Sequence, residues 1–320
     1  MDKQSYESGR IAAAITKAAS KQTYYTIQFF VDRERILDAY RAYGYFRWVD
    51  DVLDAMAPFG DDTGSSVEKI AFANRQKSLL ESCYRGETRD DLCAEERMLV
   101  DLVRHDTEKN SGLQTYLRYM MDVMVFDAKR RGQIISQTEL SEYSRKLAMA
   151  VTEALYYFIG HDDPSPHHEA RYLAVTAAHI THMLRDALED AENGYFNIPG
   201  EYLMLRGIKP QDVKSDDYRE WVRGRVQLAR EYFKAGRECT AQVKNLRCRL
   251  AGYAYTARFE WMLRAIERDN YCLRCEYPER QSLQAGLWMG WYALTSMFAL
   301  PLIKTESHKL APQSIRIDKR

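Results

Sequence analysis

Apolar residues recur at helical spacing along nearly the whole chain, and no sustained run alternating apolar with polar residues stands out. That pattern predicts helices over about 8–19, 21–30, 34–57, 67–84, 94–105, 112–130, 137–160, 167–192, 217–244, 248–269 and 281–301. The breaks carry turn chemistry, at Gly60–Gly64, Asp162–Pro166, Gly194–Gly200 and Gly207–Pro210. No internal repeat, low-complexity segment or long linker divides the chain. Its 320 residues therefore read as one all-α domain, 1–320.

Two acidic clusters fall on these helices, some 136 residues apart. The first is Asp50, Asp51 and Asp54 within RWVDDVLD; the second is Asp186, Glu189 and Asp190 within MLRDALEDAENGYFNIP. Residues four apart on a helix share a face and lie ~5–6 Å from one another. Asp50 with Asp54, and Asp186 with Asp190, thus each form a two-carboxylate claw. Such pairs are common among 46 acidic residues, and most are solvated faces. The surroundings argue for more. The first claw sits in AYGYFRWVDDVLDAMA, a mostly apolar, aromatic stretch without Lys, where unpaired carboxylates are costly unless a cation compensates them. The second has Arg185 beside it and ends at Asn193 and Gly194. Mg2+ takes oxygen ligands and keeps some positions for water or substrate phosphate, so two facing claws would suit several Mg2+ ions gripping a diphosphate.

Charge and cysteine usage exclude other classes. The 46 basic and 46 acidic residues cancel and are spread along the chain, which leaves no nucleic-acid footprint. Six cysteines follow no disulfide framework, and the Cys272–Cys275 pair lacks the second half of a zinc site. The polar, acid-containing start MDKQSYESGR is no signal peptide, so a cytoplasmic location is expected. Ala285–Ile303 holds 19 residues without a formal charge, near spanning length, but Gly286, Gly290, Thr295, Ser296 and Pro301 interrupt it. A core helix, or one resting on a membrane as a peripheral contact, is expected there rather than a span.

Twenty-two Tyr are the second functional clue, with Tyr24, Tyr25, Tyr40, Tyr43, Tyr45, Phe46 and Trp48 clustered before the first claw. Most are accounted for as core. A ring-lined cavity also attracts cations and excludes water. Diphosphate gripped by metal beside such a cavity points to ionisation of an allylic diphosphate.

RWVDDVLD and LRDALEDAENGYFNIP resemble the two signature motifs of the squalene/phytoene synthase family, the head-to-head trans-isoprenyl diphosphate synthases. The resemblance runs from about Lys21 to Leu283 and takes in KQTYYTIQFF, AYRAYGYFRWVDD and FDAKRRGQIISQTELSEYSRKLAMAV. It implies an isoprenoid synthase fold, a helical bundle around a central cavity with two facing aspartate-rich helices. Asp50, Asp51, Asp54, Asp186, Glu189 and Asp190 would then bind Mg2+. Arg47 and Arg185 would neutralise diphosphate, Tyr43 and Tyr143 would line the pocket, and Tyr24 would lie near the diphosphate end. Lys21 and Arg280 are further phosphate candidates. The implied reaction joins two prenyl diphosphates, farnesyl or geranylgeranyl, into a squalene-, dehydrosqualene- or phytoene-type product; a reductant, if one is used, would be NADPH.

The chain departs from the family pattern at several positions. His182 stands where the family has Asn and His179 where it has Gln, which puts His179, His182, Asp186 and Asp190 roughly along one face. His182 has three readings: a polar contact to metal-bound water, a general base, or a satisfied core histidine. Met149 replaces a small residue, Phe259 replaces a pocket Tyr with Tyr255 one turn earlier, and only Arg274 and Arg280 supply basic charge after that helix. These changes keep two alternatives open. One is transfer of the prenyl cation to a non-isoprenoid acceptor or its cyclisation; the lesser one is a non-catalytic assembly factor. A ferritin-like di-metal protein is excluded, since no Glu-x-x-His motif occurs.

Overall fold

The computed structural model describes residues 3–56, 63–87, 91–160 and 168–298. The helices are α1 (Lys3–Ala19), α2 (Lys21–Phe30), α3 (Ile36–Ala55), α4 (Thr63–Tyr84), α5 (Ala94–His105), α6 (Gly112–Arg130), α7 (Gln137–Phe158), α8 (Ala170–Glu192), α9 (Gly200–Arg206), α10 (Asp216–Thr240), α11 (Leu246–Arg268) and α12 (Leu283–Phe298). Single 3-10 turns lie at Arg33–Arg35 and Pro278–Gln281, and no strand occurs among the described residues. The all-α expectation holds.

Local chemistry sets many of the boundaries. Ser20, Ser111, Ser136, Ser215 and Asn245 each accept a backbone N–H from the first turn of the helix they precede. At α7 the cap is reciprocal, with Glu139 reaching back to the Ser136 backbone. Helix α9, placed in no expected segment, is seven residues long and stops at Gly207, whose φ of 64° suits glycine. It is too short to show a periodicity. Helix α1 begins at Lys3, not residue 8. Most of the expected turn 60–64 and all of 162–166 lie outside the described residues.

The apolar side chains form two main cores. One gathers α1 to α7 around Tyr45, Phe46, Leu99, Leu102, Leu117 and Met121. The other packs α8 to α11 around Ile180, Leu184, Trp221, Val222, Phe233 and Leu263. A small third group holds Ile135, Leu140 and Met183 with Phe126 and Tyr143, and Tyr143 also packs against the first core. Two glycines allow close helix approach: a Cβ on Gly44 would lie 3.1 Å from Ala12 Cα, and one on Gly236 would lie 2.6 Å from Ala174 Cβ. Buried Arg41 is satisfied within the first core by Ser5, Ser8 and Asp38.

Helix α12 departs from a buried core helix. Ala285 and Ala293 are buried, and Trp288 packs against Trp261 of α11 at 6.0 Å. Its other face exposes Leu283, Leu287, Trp291 and Leu294. Residues 299–303 of the apolar segment lie outside the described residues. Among those described, no helix is long and apolar enough to cross a membrane.

Candidate active site

Helix α3 buries Ala42, Tyr45, Phe46, Val49 and Leu53, which leaves Asp50 and Asp54 on its flank. Burial and the neighbouring Asp54 charge push the Asp50 carboxyl up to about 6, with Asp127 adding to the rise. Burial also raises Asp54, against the pull of Lys69, Arg47 and Arg131. Asp51 lies further round the helix, exposed, and pairs with Arg47; Arg47 also donates to Asp50 at 3.3 Å.

On α8 the two claw carboxylates are treated differently. Arg185 donates twice to Asp186, at 2.5 Å each, and His182 Nε2 lies 3.0 Å from Asp186 Oδ2. These partners outweigh burial and hold Asp186 well below the usual carboxylate range. Among the described residues the Asp190 carboxylate accepts one side-chain hydrogen bond, from Asn197 at 2.7 Å, with the Arg130 charge acting from further off. Burial and the Asp186 charge push Asp190 up to about 7. Glu189 is exposed.

Asp127, near the end of α6, ties the claws together. Its charge raises both Asp50 and Asp190. Tyr143 Oη donates to it at 3.0 Å and Arg130 Nε at 2.6 Å. Arg130 Nη1 donates to Asn197 Oδ1 at 2.9 Å, and Asn197 donates onward to Asp190. A chain of hydrogen bonds thus runs from Tyr143 on α7 through α6 to the second claw. Tyr195, just after α8, is raised partly by both Asp127 and Asp54. The backbone fixes this meeting point, because Gly132 N–H bonds Gly194 O at 2.7 Å and Gly200 N–H bonds Ile135 O at 2.9 Å. Both claws therefore border one polar seam beside the small apolar group of Phe126, Tyr143 and Met183.

The other expected site residues fall as follows. Tyr143 sits in the seam with its ring 5.0 Å from His179. Tyr43 packs against the first core. Tyr24 stacks on Tyr40 at 5.2 Å, and Tyr40 Oη donates to Gln28, which docks α2 on α3. Lys21 is exposed in the first turn of α2. No described contact joins Lys21 or Tyr24 to the claws. The Arg280 side chain lies outside the described residues, and Arg274 is engaged by Asp269 and Glu279. The shared face expected for the two histidines splits: His179 is 5% exposed while the His182 side chain is 52% exposed. Positions three apart are ~60° out of line on a helix, enough to separate core from solvent.

Asp127, Arg130 and Asn197 were not singled out from the sequence. Asp127 and Arg130 look like a surface pair three apart, and only the fold makes them a junction. Lys69, 2% exposed with Nζ lacking a hydrogen-bond partner, also lies near Asp54. Two hollows lie elsewhere: one of about 40 Å³ lined by Tyr156, Arg171 and Tyr255, and one of about 410 Å³ lined by Lys77, Arg118 and Asp122.

The carboxylates fit a divalent cation. Asp50 and Asp190 are crowded by other carboxylates and raised, the condition an added cation relieves. Among the described residues no three His, Cys, Asp or Glu side chains converge into a ready-made metal cluster. Two-carboxylate claws suit Mg2+ that keeps its remaining positions for water and phosphate.

A pH dependence follows for protein stripped of divalent ions. Both carboxyls hold protons more tightly folded than unfolded, so this part of the stability is greatest below the unfolded carboxylate value. It falls as pH rises through about 6 and about 7. The melting temperature in chelator is expected to drop between about pH 5 and about pH 8, and Asp190→Asn should remove much of the slope. An unchanged slope in that variant would contradict the crowding of Asp190.

The sequence profile described as squalene/phytoene synthase matches residues 16–284, most of the chain and both claws. The protein belongs to the squalene/phytoene synthase family. Curated relatives in this family include phytoene synthase 3, chloroplastic, of Zea mays, 25% identical over 277 residues, 82% of this chain and 61% of that protein. Another is presqualene diphosphate synthase of Zymomonas mobilis subsp. mobilis, 27% identical over 202 residues, 63% of this chain and 64% of that protein. The chain thus spans a little over three fifths of the length of these two relatives. The fold is also that of squalene synthase HpnC from Alicyclobacillus acidocaldarius, with a TM-score of 0.65, 17% identity, and 86% of this chain and 98% of that one covered.

Proposed function

We propose that this squalene/phytoene synthase family member is a Mg2+-dependent prenyltransferase that ionises an allylic prenyl diphosphate and condenses two such molecules head-to-head. The observation carrying this reading is the convergence of Asp50, Asp54, Asp186 and Asp190 on one seam through Asp127, Arg130 and Asn197. Mg2+ bound by these four carboxylates supplies Lewis-acid neutralisation of the diphosphate leaving group. Arg47 and Arg185, which pair with carboxylates of their own helices, would exchange onto phosphate oxygens when diphosphate binds.

The remaining work belongs to shape and dielectric. Breaking the bond between the allylic carbon and the diphosphate oxygen leaves an allylic cation. Ring faces such as those of Phe126 and Tyr143 stabilise it, and their bulk keeps water away. The double bond of the second prenyl chain then attacks at close range, which is a gain in proximity and orientation. Farnesyl and geranylgeranyl diphosphate are the proposed substrates, NADPH the reductant if the product is reduced. The exposed apolar stripe of α12 supports peripheral contact of a cytoplasmic enzyme with membrane, where such greasy products partition.

Incubating the purified chain with each prenyl diphosphate, with and without Mg2+ and NADPH, tests this by mass spectrometry and pyrophosphate release. A C30 or C40 product formed only with Mg2+ is expected. Pyrophosphate release without any dimeric product would replace head-to-head condensation with cyclisation or transfer to another acceptor, the alternative that His182, Met149 and Phe259 keep in view. No release at all would favour an assembly factor.

A further inference from the structure

Arg225 of α10 has neither an ion-pair nor a hydrogen-bond partner among the described residues. Its guanidinium lies 6.0 Å from the centre of the Trp221 ring. Its place beside α8 is set from both ends of the helix pair. Near one end Tyr218 is close enough to Asp190 to be raised by it; near the other, Gly236 abuts Ala174. The two helices are therefore antiparallel. Seven residues beyond Tyr218, or about 10 Å along α10, Arg225 stands at the level of Met183 and Leu184. That is between the second claw and His179.

His179 is the complementary feature. It is 5% exposed, its ring packs on Tyr143, and its Nδ1 has no hydrogen-bond partner among the described residues. Burial first, then the charges of His182, Arg130 and Arg225, push it well below the ordinary imidazole range, so it is neutral. As the Nδ1–H tautomer, a neutral imidazole donates one hydrogen bond. Burial likewise draws Arg225 down to about 10. Arg225 is half-buried, and its guanidinium, with no described counter-charge, stands near the level of a buried imidazole whose Nδ1 has no described partner, so two sets of donors go unanswered. A hydrocarbon tail would satisfy neither, whereas an oxyanion satisfies both.

We infer that Arg225 and His179 form an anion-recognition point, about one helical turn deeper than the second claw, that takes the carboxylate or phosphate of the second reactant. Arg225 supplies the charge and the forked donors, His179 the orienting N–H, and Trp221 braces the guanidinium. The inference rests on the prenyl-transfer reading only for the identity of the first reactant. It makes the choice between a second diphosphate and an acidic acceptor a property of this wall of the site.

Binding to the full chain in chelator tests it without turnover, so failure of the catalytic reading is read separately by the product assay. Calorimetric titration with inorganic pyrophosphate, and with dodecanoate against neutral dodecanol, gives the anion preference. Wild type should prefer the anion by about tenfold or more, Arg225→Gln should abolish the preference, Arg225→Lys should restore part of it, and His179→Leu should weaken it. Loss confined to pyrophosphate assigns the point to a second diphosphate; loss confined to dodecanoate assigns it to a carboxylate acceptor. Equal affinities in wild type and Arg225→Gln, or no binding of either anion, would overturn it. Arg225→Gln should also melt no lower than wild type without ligand, since it removes an unmatched charge. A clear fall in melting temperature would mean that Arg225 is structural instead.

Discussion

Asp190→Asn, and separately Asp50→Asn, is expected to lower Mg2+-dependent pyrophosphate release from a prenyl diphosphate by about a hundred- to a thousandfold, the range for removing one preorganised charge-stabilising group. These two carboxyls are the claw members that the protein leaves least compensated. Asp190 is pushed up to about 7 and Asp50 to about 6, first by burial and then by a neighbouring carboxylate. Asp186 already has Arg185 and His182. Replacing Asp190 by Asn keeps the shape and removes one negative charge, so the unliganded fold should gain stability above neutral pH while the reaction is lost. That opposite movement of stability and activity separates a metal-holding role from a scaffolding one. Asp51→Asn is the internal comparison. Asp51 is exposed and occupied by Arg47, so its loss should change the rate only a fewfold. Initial rates at saturating Mg2+ decide the matter, and equal losses for Asp51→Asn and Asp190→Asn would refute the assignment of the claws.

Arg130→Met should be among the most destabilising single substitutions in the chain, by about 3–5 kcal/mol in urea unfolding, because it breaks a buried charge pair from one side. The Arg130 side chain is 7% exposed and serves Asp127 and Asn197 at once, while its guanidinium lies 4.9 Å from the Tyr143 ring centre. Removing it leaves Asp127 facing Tyr143 and both claws with nothing to balance its charge. The double variant Arg130→Met with Asp127→Asn should recover about half of the loss, since the stranded charge goes as well. A loss below about 1 kcal/mol in the single variant, within the range of a surface pair, would show that the junction does not hold α6, α7 and the 193–200 loop together.

Much of this was legible in the sequence for one reason: a helix writes its own periodicity. Helices α2, α5, α6 and α7 were expected with starts and ends matching within two residues, because Ser20, Ser111 and Ser136 mark their starts and apolar repeats run through them. Helix α9 was missed because seven residues hold too few turns for a pattern. The first five residues of α1 were missed because DKQSYE carries no apolar stripe. Pairing within the site was less legible. Arg185 beside Asp186 read as a phosphate ligand, and the structure shows it engaged with its neighbour. The two histidines read as one face and are parted by burial.

What the sequence determined by itself was the all-α class and the two carboxylate pairs, since both depend on spacing within single helices, and, by resemblance of its motifs over most of the chain, the family. Only the tertiary structure decided that the Asp127 charge acts on both claws, that Arg130 and Asn197 join α6 to the loop after α8, and that Arg225 has no counter-charge among the described residues. Those facts depend on side chains from different helices meeting across distances the chain order does not encode. Charges as far apart in sequence as Asp50 and Asp127 cancel or crowd one another only once packing has excluded the water between them.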